Sequence, residues 1–423
     1  MGSQVFPIFK KLHSNIRDMK FNTTLAQRIQ SRILEYGSFV TVLFVISIYF
    51  STTLAIILSG LLGLMWLLSA QFMELPATLK KNPVAAWSLL LFSWFILGSS
   101  YTSAVYGDAF SMIMKYRELL FIPVLISFLT TEHYRYRVWK AFVSASVLIL
   151  LISSLMDFGI LEINWQGDPS FNTRITHSIF ISFFAFYCAH KAHDGNRYAK
   201  LYLVLLIISV INLFFIVEGR TGQLIAVSLV LLFGVQRFTK KVLLLTVLVM
   251  AILSVFYLSF SDKANRINEG IVNIQSDLKP DAEQPPSSMG QRYMYWRYSL
   301  KLIAEKPLLG HGTGSFAKEY ERIAHSEHLK TKNPHNEFLM ISVQLGLLGL
   351  LIYLGFLASQ YYYAKRLPNE ERWLAQGLLL SLIVTSLFNS AFLDHHEGHW
   401  YAGMIALCFA SLQIERKIDP TNA

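Results

Sequence analysis

The chain has 423 residues, of which 53% are hydrophobic and only 15% charged. Soluble domains carry about 25% charged residues, so this balance excludes an ordinary soluble enzyme and points to an integral membrane protein. The net charge of +10 does not indicate nucleic acid, because the basic residues fall in short clusters between apolar runs, as topology signals do.

Residues 1–33 lack an apolar core and carry Lys10, Lys11, Arg17, Lys20, Arg28 and Arg32. They read as a basic cytoplasmic arm near the lipid headgroups rather than a cleavable signal peptide. A helix crossing the bilayer needs roughly 20 apolar residues. Candidate spans are 34–50, 53–70, 84–101, 110–130, 138–158, 175–193, 199–217, 222–236, 241–260, 338–363, 373–393 and 399–415. The expected fold is an all-α integral membrane protein with about 12 transmembrane helices and one large outer loop containing amphipathic helices. Residues 34–260 hold the first nine spans, 261–335 the loop, 336–415 the last three, and 416–423 a tail. Cys188 and Cys408 lie inside apolar runs and read as packing residues, with no metal-type spacing.

Lys and Arg residues alternate in sidedness. The arm, Lys80/Lys81, Arg135/Arg137/Lys140, Lys191/Arg197/Lys200, Arg237/Lys240/Lys241, Lys365/Arg366/Arg372 and Arg416/Lys417 fall on one side. The connections on the other side are nearly free of them. Both termini are therefore expected in the cytoplasm and the 261–335 loop outside it.

Ionisable groups that break this pattern mark candidate sites. Lys115, Arg117 and Glu118 sit inside an apolar span, where each charge costs about 2.5–3.5 kcal/mol and needs a cavity or a partner. A structural pair such as Arg117 with Glu118 is the bland alternative. Arg174 opens a span from the outer side, with His177 one turn further on; an interfacial arginine with a helix-facing histidine is the alternative there. Glu218-Gly219-Arg220-Thr221-Gly222 links two spans in very few residues. Its glycines suit a tight turn, Thr221 is placed to cap the next helix, and a guanidinium beside free N–H groups makes an anion site. An arginine snorkelling to headgroup phosphates is the other reading.

In the loop, Met289 to Lys306 has an amphipathic pattern, with Tyr295, Trp296, Leu300 and Ile303 at helical spacing. Arg292 lies one turn from Trp296, while Arg297 is rotated off that stripe, so the two have different jobs. Pro307 to Phe316 is a Gly-rich turn without the lysine and spacing of a P-loop, which excludes a nucleotide site. His311, His325 and His328 read as solvated loop histidines rather than metal ligands. Asn336 caps the next helix and places His335 at its positive end, which favours neutral imidazole and suits a general base. Asp394, Glu397 and the histidines at 395, 396 and 399 also fall on the outer side and are candidates to line a substrate's approach.

Gly219-Arg220-Thr221-Gly222, Gly290-Gln291-Arg292, Lys306 to Gly310 with Gly314-Ser315-Phe316, His335 to Leu339 and Gly346-Leu347-Leu348-Gly349 occur in this order. Together they resemble the O-antigen ligase and polymerase superfamily over about 130 residues. The resemblance implies a bacterial inner-membrane, multi-pass glycosyltransferase with a periplasmic site. Its donor would be a glycan on undecaprenyl diphosphate, and its acceptor a sugar hydroxyl of lipid A–core. It implies no cofactor and no metal, with Arg220 and Arg292 on the diphosphate, Arg174 as a further match, and His335 as base for an inverting displacement. Lys115 and Arg117 are added as substrate-binding candidates from their depth alone. A polymerase or a protein O-oligosaccharyltransferase would share these residues and differ in acceptor. A secondary transporter is the rival of another class, but it leads one to expect matched broken helices in two repeated halves.

Overall fold

The computed structural model describes residues 6–163, 169–217, 219–242, 288–324 and 330–413, with isolated positions 244, 248 and 252, and side chains from Leu25 onward except at 26, 288 and 289. Among the described residues every regular element is a helix. In order these are α1 (Phe6–Phe50), α2 (Thr52–Leu68), α3 (Leu75–Lys81), α4 (Pro83–Ser99), α5 (Tyr106–Tyr116), α6 (Glu118–Phe128), α7 (Glu132–Asp157), α8 (Arg174–His193), α9 (Ala199–Ile211) and α10 (Arg220–Arg237). Beyond the undescribed part of the polar segment come α11 (Ser288–Glu305), α12 (Phe316–Ile323), α13 (Glu337–Ala364), α14 (Asn369–Phe388) and α15 (His395–Phe409).

By length and composition, four of these helical stretches can cross a bilayer: Gln27–Phe50, Glu132–Asp157, Ala199–Ile216 and Glu337–Ala364. A fifth is formed if Thr52–Leu68 and Gln71–Lys81, bent by 79°, count as one broken span. Ile57, Leu68, Phe215 and Leu351 stand exposed on their helices. An outward apolar face of this kind fits lipid rather than water, and the chain is a membrane protein.

The predicted spans meet helices throughout the described residues, with informative differences. Span 241–260 lies largely outside those residues. The stretch read as a basic arm is helical from Phe6 and continuous with the first span in α1, Phe6–Phe50. Span 110–130 is two helices with a break at Arg117. The brief turn expected at Ser51 is real, and the Ser51 side chain accepts from the Leu54 N–H at 3.2 Å.

The largest departure is in α13, where Gly346 has φ 67° and ψ −168° and interrupts the helix. A break among apolar residues strands backbone groups that neither lipid nor side chains satisfy. The Gly-rich turn satisfies them. His311 and Gly312 donate to the Val343 and Gln344 carbonyls at 2.9 and 2.8 Å, and Leu347 and Leu348 donate to Pro307 and Leu308 at 2.8 and 3.3 Å. Thr313 donates to the Gly98 carbonyl at the end of α4, and the Gly314 N–H to the Gln344 side chain at 2.6 Å. Positive φ at Gly310, Gly312 and Gly314 lets the turn enter this gap. His311, expected in solvent, is buried there and bonds the Leu302 carbonyl at 3.0 Å. His325 and His328 lie outside the described residues.

The helix ends sort into two groups. Arg237 pairs with Asp194 and lies 3.9 Å over the Trp373 ring, Lys191 pairs with Glu370, and Arg135 lies 3.8 Å from Glu371. These are the ends that the charge bias assigns to the cytoplasm. The opposite ends of α8, α10, α13 and α15 carry the residues described next.

Gly346→Ala is expected to destabilise the protein by about 3 kcal/mol or more, since its φ/ψ region belongs to glycine and a Cβ would meet the Leu308 oxygen at 2.2 Å. Gly60→Ala, with open space around its Cβ, is expected to be neutral or stabilising by up to about 1 kcal/mol. Thermal unfolding in detergent distinguishes them; equal melting temperatures would contradict the stitched junction.

Candidate active site

His335 sits in the turn that leads into α13, with φ 52°, a left-handed conformation uncommon for a residue with a side chain. Several bonds impose it. Its N–H donates to Asn333 Oδ1 at 2.8 Å, and the same oxygen accepts from Ser390 Oγ at 2.7 Å. Trp296 of α11 donates its indole N–H to the Pro334 carbonyl at 3.0 Å. As expected, Asn336 caps α13, accepting from Leu339 N–H at 3.0 Å.

Asn389, at the end of α14, fixes the imidazole. Its Nδ2 donates to Glu397 Oε2 at 3.0 Å, which leaves Oδ1 facing His335 Nδ1 at 3.4 Å as an acceptor. Nδ1 is then the N–H and Nε2 carries the lone pair. Glu397 is buried and also accepts from Thr176 Oγ1 of α8 at 3.3 Å. The His335 ring lies nearly parallel to Tyr295, centroids 6.3 Å apart. Burial lowers the His335 pKa, the Arg292 charge lowers it further, and the Asn389 bond opposes both.

Arg292 is half-buried on α11, whereas Arg297 is exposed, in keeping with different jobs. Burial and then the Arg220 charge lower the Arg292 guanidinium pKa, so Arg220, Arg292 and His335 share one electrostatic neighbourhood. The buried face of α11 is Tyr295, Ser299 and Leu302; Leu300, expected on the apolar stripe, is exposed.

Arg220 is the first residue of α10 and Arg174 the first of α8, both exposed. Thr221 does not cap α10: the N-cap is Gly219, with no side-chain bond, and Thr221 is buried inside the first turn. Nor do Gly219 and Gly222 make a positive-φ turn. They let two helices approach, since a Cβ on either would meet Ser178 of α8 at 2.2–2.3 Å. Ser182 Oγ closes that contact by donating to the Gly222 carbonyl at 2.7 Å. The first turns of both helices, with their arginines, are thereby drawn together. Glu218 lies outside the described residues. His177 is absorbed into the core, bonding Asn212 at 2.8 Å.

Lys115 lies on the last turn of α5, and Arg117 at the α5–α6 break donates to the Met114 carbonyl. Neither has a contact that joins it to Arg220, Arg292 or His335 among the described residues. Glu118 does not pair with Arg117; it is fully buried against His395 and His399. Tyr116 instead reaches the site's frame, donating to Glu337 Oε1 at 2.5 Å, while Phe392 N–H donates to Glu337 Oε2 at 3.3 Å. Glu397 and His399 are too buried to line an open acceptor path; of that group Asp394 is exposed and caps α15.

Sequence reasoning missed Asn389, Ser390 and Glu337. The available signal was a polar Asn-Ser pair and a glutamate at the outer ends of apolar spans, where polar groups need stated partners.

Residues 200–354 match the protein family described as O-Antigen ligase. That stretch contains Arg220, Arg292, His335 and the break at Gly346, but not Arg174, Asn389 or Glu397. A Haemophilus influenzae protein described only as "Uncharacterized protein" is 24% identical over 317 residues, 69% of this chain and 77% of its own length. Rickettsia conorii and Rickettsia bellii proteins, each described as a "Putative polysaccharide ligase", are both 34% identical over 99 and 91 residues. These cover 21% and 19% of this chain and 22% and 21% of the relatives. The resemblance to the O-antigen ligase superfamily is thereby upheld, carried by residues 200–354.

The electrostatic arrangement predicts opposite shifts in two variants. Arg292→Gln removes a neighbouring positive charge, so the His335 pKa rises. Asn389→Ala removes an acceptor that favours imidazolium, so it falls. Titration of 15N-histidine-labelled protein by NMR would show both; an unmoved His335 signal in Arg292→Gln would refute the coupling.

Proposed function

We propose that the protein is an O-antigen ligase, transferring a glycan from undecaprenyl diphosphate to a sugar hydroxyl of lipid A–core at the periplasmic face of the bacterial inner membrane. The observation that carries this reading is the convergence of Arg220 and Arg292 near a histidine that Asn389 orients and whose charged form burial and Arg292 disfavour. A guanidinium whose charge burial and a neighbouring arginine disfavour is suited to a polyanion, and a diphosphate offers paired oxygens to each fork. Arg174, at the neighbouring helix end, supplies further positive potential. Lys115 and Arg117 remain candidates through their position alone.

In this mechanism the arginines neutralise charge that develops on the leaving diphosphate. Nε2 of His335 accepts the proton of the acceptor hydroxyl as its oxygen attacks the anomeric carbon, and the carbon–diphosphate bond breaks on the opposite face. The configuration inverts. The diphosphate is already an activated leaving group, so the displacement calls for neither nucleotide nor metal, and positioning of the two substrates supplies much of the rate.

A superfamily polymerase or protein O-oligosaccharyltransferase would use the same groups on another acceptor. Ligation is preferred because a single long outer segment, 261–335, accompanies otherwise short outer connections. In cells lacking the chromosomal copy, His335→Ala, Arg220→Ala or Arg292→Ala is expected to reach the membrane normally yet leave lipid A–core without long chains, with lipid-linked glycan accumulating. Lipopolysaccharide gels and lipid extraction measure this. Full-length lipopolysaccharide in the deletion strain would sink the ligase reading, whereas long chains surviving only in His335→Ala would remove the base assignment.

A further inference from the structure

The break between α5 and α6 brings a second cluster of chemistry-bearing side chains against the first turn of α15. Glu118 is fully buried, and its Oε1 lies 3.1 Å from His395 Nδ1 and 2.9 Å from His399 Nδ1. The three potential ligand atoms lie within 4.8 Å of one another. His395 and His399 are spaced i, i+4 on one helix, the spacing that places two imidazoles on one face. Glu118 Oε2 is buried without a hydrogen-bond partner. Room for that oxygen exists because residue 398 is glycine: a Cβ there would lie 1.6 Å from it.

We propose that Glu118, His395 and His399 form a divalent transition-metal site of the Zn2+ type that pins the α5–α6 break to α15. Ligand atoms on a metal with bonds of about 2.1 Å are about 3.0–3.4 Å apart at octahedral to tetrahedral angles, close to the 3.1 and 2.9 Å from Glu118 Oε1 to the two imidazole nitrogens. Two imidazole nitrogens with one carboxylate oxygen favour Zn2+ and its neighbours over Mg2+ or Ca2+, which prefer oxygen. A dication also answers an electrostatic need. Among the described residues the Glu118 carboxylate makes no direct ion pair with an arginine, since Arg117 donates to the Met114 carbonyl. His399 Nδ1 donates to the His395 carbonyl at 2.6 Å, so ligation through Nδ1 calls for the tautomer with its proton on Nε2, and the ring stays neutral. The partly exposed His395 leaves a way in for the ion and a position for water. None of the three ligands is assigned a part in glycan transfer, so the inference stands independently of the proposed function.

The test uses the full chain purified in detergent and passed over chelating resin, then given Zn2+ or Co2+. Elemental analysis is expected to find about one tightly bound Zn2+ per chain, and the Co2+ form to show d–d bands of a low-coordinate nitrogen–oxygen site. Glu118→Gln and His395→Ala, the latter at a partly exposed position that tolerates truncation, should each lose at least tenfold in affinity. His396→Ala, whose imidazole bonds the Ile48 carbonyl outside the cluster, should bind as the parent does. Absence of stoichiometric metal in the unmutated protein would overturn the proposal, as would undiminished binding in both cluster variants or an equal loss in His396→Ala.

Discussion

The rest of the structure depends on the junction where the Pro307–Gly314 turn fills the break in α13. An unpaired backbone group at membrane depth costs several kcal/mol, so a helix interrupted at Gly346 persists only with partners supplied from elsewhere. The turn presents N–H donors to the carbonyls before the break and carbonyl acceptors to the N–H groups after it. One contact thus orders two elements. The outer piece of α13 carries His335 and its cap Asn336, while α11 leads directly into the turn and carries Arg292, Tyr295 and Trp296. The geometry of the proposed site and the helix packing share a single set of backbone bonds.

Around that junction, buried polar side chains replace what a larger soluble domain would achieve with loops. Glu337 ties α5 to α13 and to the turn after α14, and Glu397 ties α8 to Asn389. Each deletion would leave a buried group unpaired, a cost of about 1–3 kcal/mol or more. The mutual repulsion of Arg220 and Arg292 then has a use. Under the proposed mechanism, a bound diphosphate relieves it and, by offsetting the positive potential at His335, makes the imidazole a stronger base once substrate is present.

Several local features were legible because they depend on neighbours in sequence. The Asn336 cap, the amphipathic helix of α11 and the Ser51 turn follow from hydrogen-bonding groups and periodicity within a few residues. Others were misread because their partners are distant. Gly219 and Gly222 serve the approach of Ser178 from α8 rather than a turn, and Thr221 consequently faces inward instead of capping. His311 left solvent because Val343 and Gln344 needed donors. Glu118 found histidines from the last helix rather than its neighbour Arg117, whose side chain satisfies a carbonyl three residues back.

The sequence alone determined the all-helical membrane character, most helix positions and the residue types available for charge chemistry, since hydropathy and capping act over one or two turns. Tertiary structure decided which of those charges meet. Arg220, Arg292 and His335 are separated by long stretches of chain, and only the α8–α10 approach, the broken α13 and the Asn389–Glu397 link bring them into one field. Burial and convergence are properties of packing, and packing is set by which helices touch, which no local pattern specifies.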